Sequence, residues 1–267
     1  MRDYYKLLGV KATSSVAEIK RAYRKKAKKL HPDVSGNDAS KFHLLTQAYE
    51  QLVALHQGFS FEGTNNEEYS RYGFGKKNEK SFSYREWLVE RDNEESKCKL
   101  IFWDLMHNRE NDAVSLFKRM NTENIDFKLS RWVTRENFMD YGFILAEELS
   151  FRNEFYDAFL LLKQIIVMER SFEYFRLFFP EVMDFTRDIV RFRIEGSVHD
   201  ELALDAWETA LDLGFSNQDN AAILIKMASA YIRIGDMQTA NICMQEAAKL
   251  DTNVYIPKKM KASGVIK

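Results

Sequence analysis

Apolar side chains recur at helical spacing along most of the chain. The first clear run lies between Val16 and Leu30, where apolar residues three and four positions apart predict one amphipathic helix. Its apolar stripe comprises Ile19, Ala22, Tyr23, Ala27 and Leu30. A cationic stripe runs beside it on the same segment, formed by Lys20, Arg24 and Lys28 and adjoined by Arg21, Lys25 and Lys29.

Both ends of this first helix carry local signals. Ser14 and Ser15 are suitable N-cap residues, and Glu18 falls in the first turn, where the helix dipole favours a negative charge. Pro32 pushes the residue before it out of the helical region, so we expect the helix to end before His31.

A second helix is predicted from about Ala39 to Leu55. Its apolar residues share one face: Phe42, Leu45, Ala48, Tyr49 and Leu52. The two helices would form an antiparallel hairpin joined by residues 31–38, with the short segment from Tyr4 to Leu8 packing across it.

The composition of the chain changes in the segment that follows. Four of its 11 glycines fall between Gly58 and Gly75, interleaved with Phe59, Phe61 and Phe74. This composition is typical of a linker, which we place at residues 58–80. Helical periodicity dominates from about Ser81 to the end of the sequence, and we expect an all-α domain over 81–267.

A weak internal repeat marks this second domain. Turn residues precede alanines by five positions in four places, namely Asn108 and Ala113, Asn153 and Ala158, Glu201 and Ala206, and Gly235 and Ala240. Small residues allow two helices to approach closely. The alanines are 45, 48 and 34 residues apart, and only the last interval matches the tetratricopeptide period of roughly 34 residues. We expect an α-solenoid of degenerate, tetratricopeptide-like helical hairpins; an irregular helical bundle is the alternative.

The charge is distributed unevenly. The 267 residues carry a net charge of −1, yet residues 1–57 hold 11 Lys and Arg against 5 Asp and Glu, and the remainder is net negative. Such asymmetry predicts a separate N-terminal unit with an acidic partner, either nucleic acid or an acidic protein surface.

The composition excludes several classes of protein. With 45% hydrophobic and 30% charged residues, the chain has the balance of a globular protein. Cys98 and Cys243 are too few for a zinc cluster or a disulfide framework, and we expect no metal and no cofactor. No signal peptide and no membrane span is visible, so we expect a cytoplasmic location.

Three segments in order resemble a known family. They are Asp3-Tyr4-Tyr5-Lys6-Leu7-Leu8-Gly9-Val10, Leu30-His31-Pro32-Asp33 and Gln47-Ala48-Tyr49-Glu50-Gln51-Leu52. Together they resemble the J domain of DnaJ-type co-chaperones, which we assign to residues 1–57. Residues 69–73 resemble the short fourth helix of that domain, in which case it extends to residue 73. Because the zinc module and the β-rich region of other DnaJ proteins are missing, the chain resembles the third class, which shares only the J domain.

The resemblance implies a partner and a contact surface. The partner is a DnaK-type ATPase of the seventy-kilodalton heat-shock family, and the chain itself carries no catalytic residue. The residues implied in this contact are Lys20, Tyr23, Arg24, Lys25, His31, Pro32 and Asp33. We therefore expect a co-chaperone that stimulates ATP hydrolysis while its helical repeats hold a client or an assembly. The alternatives are an interaction scaffold with a silent J domain and, with less support, a nucleic-acid-associated protein.

An aromatic cluster offers a candidate client site. It comprises Phe172, Tyr174, Phe175, Phe178, Phe179, Phe185 and Phe192, and Pro180 breaks the helical run within it. Such rings either fill the space between helices or line an apolar groove. In the second case we expect Phe175, Phe178 and Phe179 to contact the client.

Overall fold

The structure, a computed structural model, describes residues 2–30, 39–60, 84–107, 109–124, 126–175 and 178–257. These residues form twelve α-helices and one short 3-10 helix, and no β-sheet is present among them. The chain divides into two compact units, Met1–Leu145 and Ala146–Lys267. The all-α prediction is confirmed.

The first three helices form a small core of their own. They are α1 (Arg2–Leu8), α2 (Val16–Leu30) and α3 (Ala39–Ser60), and α1 and α2 both pack against α3. The shared core comprises Leu8, Ile19, Leu45, Ala48, Tyr49, Leu52 and Val53. This is the predicted hairpin with the Tyr4 to Leu8 segment packed on it.

The predicted bounds of α2 and the predicted start of α3 are confirmed, whereas the predicted end of α3 is wrong. Helix α2 begins and ends as expected, whereas α3 continues five residues beyond Leu55, through Gly58 to Ser60. The connection at 31–38, the rest of the proposed linker and the candidate fourth helix at 69–73 lie outside the described residues.

The first unit continues with three further helices and the start of a fourth. They are α4 (Tyr84–Arg91), α5 (Glu94–Met106), α6 (Glu110–Glu123) and, after the 3-10 helix Leu129–Arg131, α7 (Arg135–Phe151). Helix α5 packs against both α4 and α6. The Arg85 guanidinium of α4 donates to both carboxylate oxygens of buried Asp104 on α5, at 2.7 and 3.2 Å. This bidentate pair fixes α4 on α5.

Helix α7 is buried on every side over residues 138–149. Nine of these twelve residues are apolar or glycine, which is the pattern of a central helix rather than a surface helix. Among its buried residues are the carboxylates Asp140, Glu147 and Glu148. The boundary between the two units falls within this helix, inside the region expected as one repeat domain.

The second unit contains the last part of α7 and five more helices. They are α8 (Phe155–Ser171), α9 (Phe179–Phe192), α10 (Asp200–Leu211), α11 (Asn217–Ile234) and α12 (Met237–Leu250). Consecutive helices from α8 to α12 pack against each other, and α11 and α12 form the tightest hairpin. Gly235 joins them with φ at +90°, a left-handed conformation that residues with a Cβ rarely adopt.

The alanines of the predicted repeat are all fully buried. Ala113, Ala158 and Ala240 each occupy the fourth position of their helix. Ala206 lies one turn further into α10, since Glu201 belongs to the first turn of that helix. The prediction that Glu201 forms the turn is therefore wrong, and the repeat register shifts there. The region after the first three helices consists of packed helical hairpins.

Candidate functional site

The start of α2 is built by a reciprocal pair of side-chain contacts. The backbone N–H of Glu18 donates to Oγ of Ser15 at 3.3 Å, and the backbone N–H of Ser15 donates to Oε2 of Glu18 at 2.7 Å. This is a capping box, which satisfies two amide groups that the first turn leaves without partners. It confirms Ser15 as an N-cap and fixes where the cationic helix begins.

One face of α2 holds the helix on α3. Ile19 is fully buried in the shared core, and the ring of Tyr23 stacks on that of Tyr49. The Tyr23 hydroxyl lies 3.3 Å from Oγ1 of Thr46. Tyr23, a predicted partner contact, is therefore half-buried and tied to α3, with its hydroxyl in a hydrogen bond inside the hairpin.

Lys26 sits on the same face and joins α2 to α1. Its ammonium group donates to the backbone carbonyl of Leu7. A positive charge at the C-terminal end of a helix stabilises the carbonyl groups that have no partner within the helix.

Lys20, the first predicted contact residue, is not exposed. Only 3% of it is accessible. Its ammonium group donates to the carbonyl of Leu105 at 2.9 Å and to Oε1 of Glu110 at 3.1 Å. The cationic stripe is thus partly occupied by the chain's own helices α5 and α6, which a reading of α2 alone could not reveal.

The other predicted contact residues lie further along the hairpin. Arg24 and Lys25 are on α2, in its second half. His31, Pro32 and Asp33 follow the last residue of α2 and lie outside the described residues.

The three candidate client contacts differ in accessibility. Phe175 and Phe178 are 3% and 4% exposed, and their rings meet edge to face with centroids 5.4 Å apart. The backbone N–H of Phe175 donates to Oε2 of buried Glu169 at 3.0 Å. These two rings fill the interior of the second unit, as the packing alternative expects. Phe179, the first residue of α9, is half-buried.

The described part of the chain shows no metal site, reactive cysteine or membrane-spanning helix. No group of three or more His, Cys, Asp or Glu residues there could hold a metal ion. Burial raises the pKa of the Cys98 thiol to about 12, the opposite of what a reactive cysteine needs. No helix in the described ranges has the length and apolar character to cross a membrane.

Comparison with known proteins assigns the N-terminal hairpin. Residues 3–56 match the family model of the DnaJ domain. The chain is 44% identical over 71 residues to the chaperone protein DnaJ of Exiguobacterium sp., which is 24% of this chain and 19% of that protein. It is 58% identical over 53 residues to the chaperone protein DnaJ 1 of Mycolicibacterium paratuberculosis, which is 19% of this chain and 14% of that protein.

Human DnaJ homolog subfamily A member 4 is 55% identical over 50 residues, 19% of this chain and 13% of that protein. The chain thus matches less than a fifth of the length of each of these relatives. No solved structure matches it. Residues 3–56 are a DnaJ domain, and the helical region that follows has no assigned family.

Proposed function

We propose that this protein is a co-chaperone that binds a DnaK-type ATPase and stimulates its ATP hydrolysis. The observation that carries the proposal is the DnaJ domain of residues 3–56, a range that includes His31-Pro32-Asp33. The capped cationic helix α2, held on α3 by Ile19 and Tyr23, supports it, because the tripeptide lies between these two helices in the sequence.

The proposed mechanism is conformational. In this proposal the chain acts by binding rather than by catalysing a reaction of its own. It binds the hydrolysis-competent state of the ATPase more tightly than the other states and thereby shifts the population toward that state. The ring of Pro32 restricts its backbone φ, and Asp33 is proposed to offer a carboxylate to a guanidinium group of the partner. The cationic residues Arg24 and Lys25 attract the acidic surface of the ATPase.

The helical hairpins are proposed to hold a client protein or an assembly. Their buried alanines at equivalent positions support a tetratricopeptide-like arrangement of degenerate repeats over residues 81–267. Since Phe175 and Phe178 are buried, a client would meet other surfaces, and Phe179 is the one of the three proposed rings with accessible area.

Single-turnover ATP hydrolysis tests the proposal. The full chain is added to the DnaK-type ATPase encoded by the same genome, preloaded with ATP, and the hydrolysis rate is followed at increasing chain concentration. Acceleration that saturates supports the co-chaperone. A chain that leaves the rate unchanged supports the scaffold with a silent J domain instead.

A further inference from the structure

Helix α2 has a second buried face, on the side away from α3. Ala17, Lys20 and Arg21 are three and four residues apart and therefore share this side of the helix, which we call the docking face. The core residues Ile19 and Tyr23 lie on the other side. A helix of a small hairpin needs only one buried face, so the docking face requires its own explanation.

The docking face contacts three later helices of the same unit. The backbone N–H of Ala17 donates to Oδ1 of Asp140 on α7, at 3.2 Å. The Lys20 ammonium bonds both the Leu105 carbonyl of α5 and the Glu110 carboxylate of α6. These contacts join residues that are 85 to 123 positions apart in the sequence.

Arg21 and Phe143 complete the docking face. The guanidinium carbon of Arg21 lies 5.8 Å from the centre of the Phe143 ring on α7, within the range of a cation–π contact. Phe143 is fully buried. The docking face thus combines an ion pair, backbone hydrogen bonds and an aromatic contact.

The docking face is a buried contact from which solvent is largely excluded. Ala17 is fully buried, and Asp140 is buried as well. Lysine is almost never buried unless its charge has a partner. Here the side chain of Lys20 is 4% exposed and that of Glu110 is 23% exposed, which makes their ion pair only weakly screened by salt.

The docking face overlaps the surface that the DnaJ domain is proposed to present to its ATPase. Lys20 belongs to both, and Arg24 holds the next position along the same side of α2. One ammonium group that is enclosed by Leu105 and Glu110 cannot at the same time meet an external carboxylate.

We propose that helices α5–α7 form an intramolecular latch on α2 that competes with the ATPase for Lys20. This inference rests on the proposed function. The docked state binds the ATPase weakly, and the chain stimulates hydrolysis only in the fraction of molecules in which α2 has left the latch. The apparent affinity is therefore lower than the intrinsic affinity by that fraction.

Glu110→Gln tests the latch while leaving the surface of α2 unchanged. It removes a negative charge that pairs with Lys20, and a buried lysine that loses a counter-ion favours the undocked state. We expect the full-length variant to reach half-maximal ATPase stimulation at a chain concentration about three- to tenfold lower, with the same maximal rate. Glu110→Lys, which places two like charges together, should have a larger effect.

The matched control is Glu123→Gln, the same substitution at the exposed end of α6. It should behave as the wild type. A second readout needs no ATPase: the acylation of Lys20 by an amine-reactive ester, quantified by mass spectrometry. We expect acylation of Lys20 to rise about threefold or more in Glu110→Gln and to stay unchanged in Glu123→Gln.

The two readouts separate the latch from the proposed function. If Lys20 becomes more reactive but no variant stimulates the ATPase, the latch is present and the co-chaperone proposal fails. If the wild type stimulates the ATPase and neither Glu110 variant changes the half-maximal concentration or the acylation of Lys20, the latch is overturned. Weaker stimulation in Glu110→Gln would also overturn it, because the contact would then support activity.

Discussion

The ring of Tyr23 on α2 stacks on the ring of Tyr49 on α3, with centroids 4.4 Å apart and planes inclined by 15°. Tyr49 is buried in the shared core, and Tyr23 packs against that core from the side. The two rings thereby connect the helices on either side of His31-Pro32-Asp33. We expect this contact to hold the hairpin together.

Tyr49→Ala should destabilise the DnaJ domain. Removing a large buried ring leaves a cavity and removes the stacking contact, which together cost about 3 kcal/mol. Native-state hydrogen exchange over peptides of α3 measures the free energy of opening locally. The control is Glu50→Ala, since Glu50 is the exposed neighbour of Tyr49. Equal protection of α3 in both variants would show that the stack contributes nothing.

The second unit should not bind acidic peptide tails. A site for a terminal carboxylate needs several cationic groups that converge. In the described part of this unit, six cations already have carboxylate partners, and three of these pairs join different helices or a helix and a loop. Arg191 pairs with Asp219 at 2.7 Å, Arg233 pairs with Asp200 at 2.7 Å, and Lys226 pairs with Glu195.

Calorimetric titration of the full chain with an acidic C-terminal peptide measures whether the chain binds such tails. We expect no heat beyond that of dilution, and the same result with the amidated peptide as the control. Micromolar binding that depends on the free carboxylate would mean that these ion pairs open and that the helical hairpins bind chaperone tails rather than clients.

The two thiols should be unreactive in the folded chain. Only the thiolate reacts, and burial raises the pKa of Cys98 to about 12 and also raises that of Cys243. At about pH 8 the folded protein should therefore react far more slowly with a colorimetric disulfide reagent than the unfolded protein, in which both thiols titrate near pH 8.5. A rapid reaction of one thiol in the folded chain would show that its site opens.

The local structure of α2 could be predicted from sequence because its signals are local. Ser15 and Glu18 are three residues apart and cap each other, and Pro32 limits the other end. The end of α3 could not be predicted in this way. The helix passes through Gly58, whose cost of about 1 kcal/mol in a helix is small enough for an established helix to continue.

The burial of Lys20 could not be predicted, because it depends on residues far away in the sequence. A lysine beside other cations on an amphipathic helix indicates a solvated stripe, and nothing near it points to Glu110. The acidic start of α6 indicates only a helix N-terminus. The pairing arises when the helices pack, and hence only the structure shows it.

The predicted repeat register is wrong at the start of α10, for an identifiable reason. Asp200 and Glu201 are both acidic, and this favours the first turn of a helix rather than the turn before it. The alanine spacing alone does not take account of that signal. Ala113, Ala158, Ala206 and Ala240 are nevertheless all buried, because small residues mark close helix contacts wherever the helix begins.

The central claim is that residues 3–56 stimulate a DnaK-type ATPase through His31-Pro32-Asp33. The most direct measurement is single-turnover ATP hydrolysis with wild-type chain, His31→Gln and His199→Gln, the last being the same substitution at the exposed position before α10. We predict that wild type and His199→Gln accelerate hydrolysis equally and that His31→Gln does not accelerate it. Equal acceleration by His31→Gln, or none by the wild type, would contradict the account.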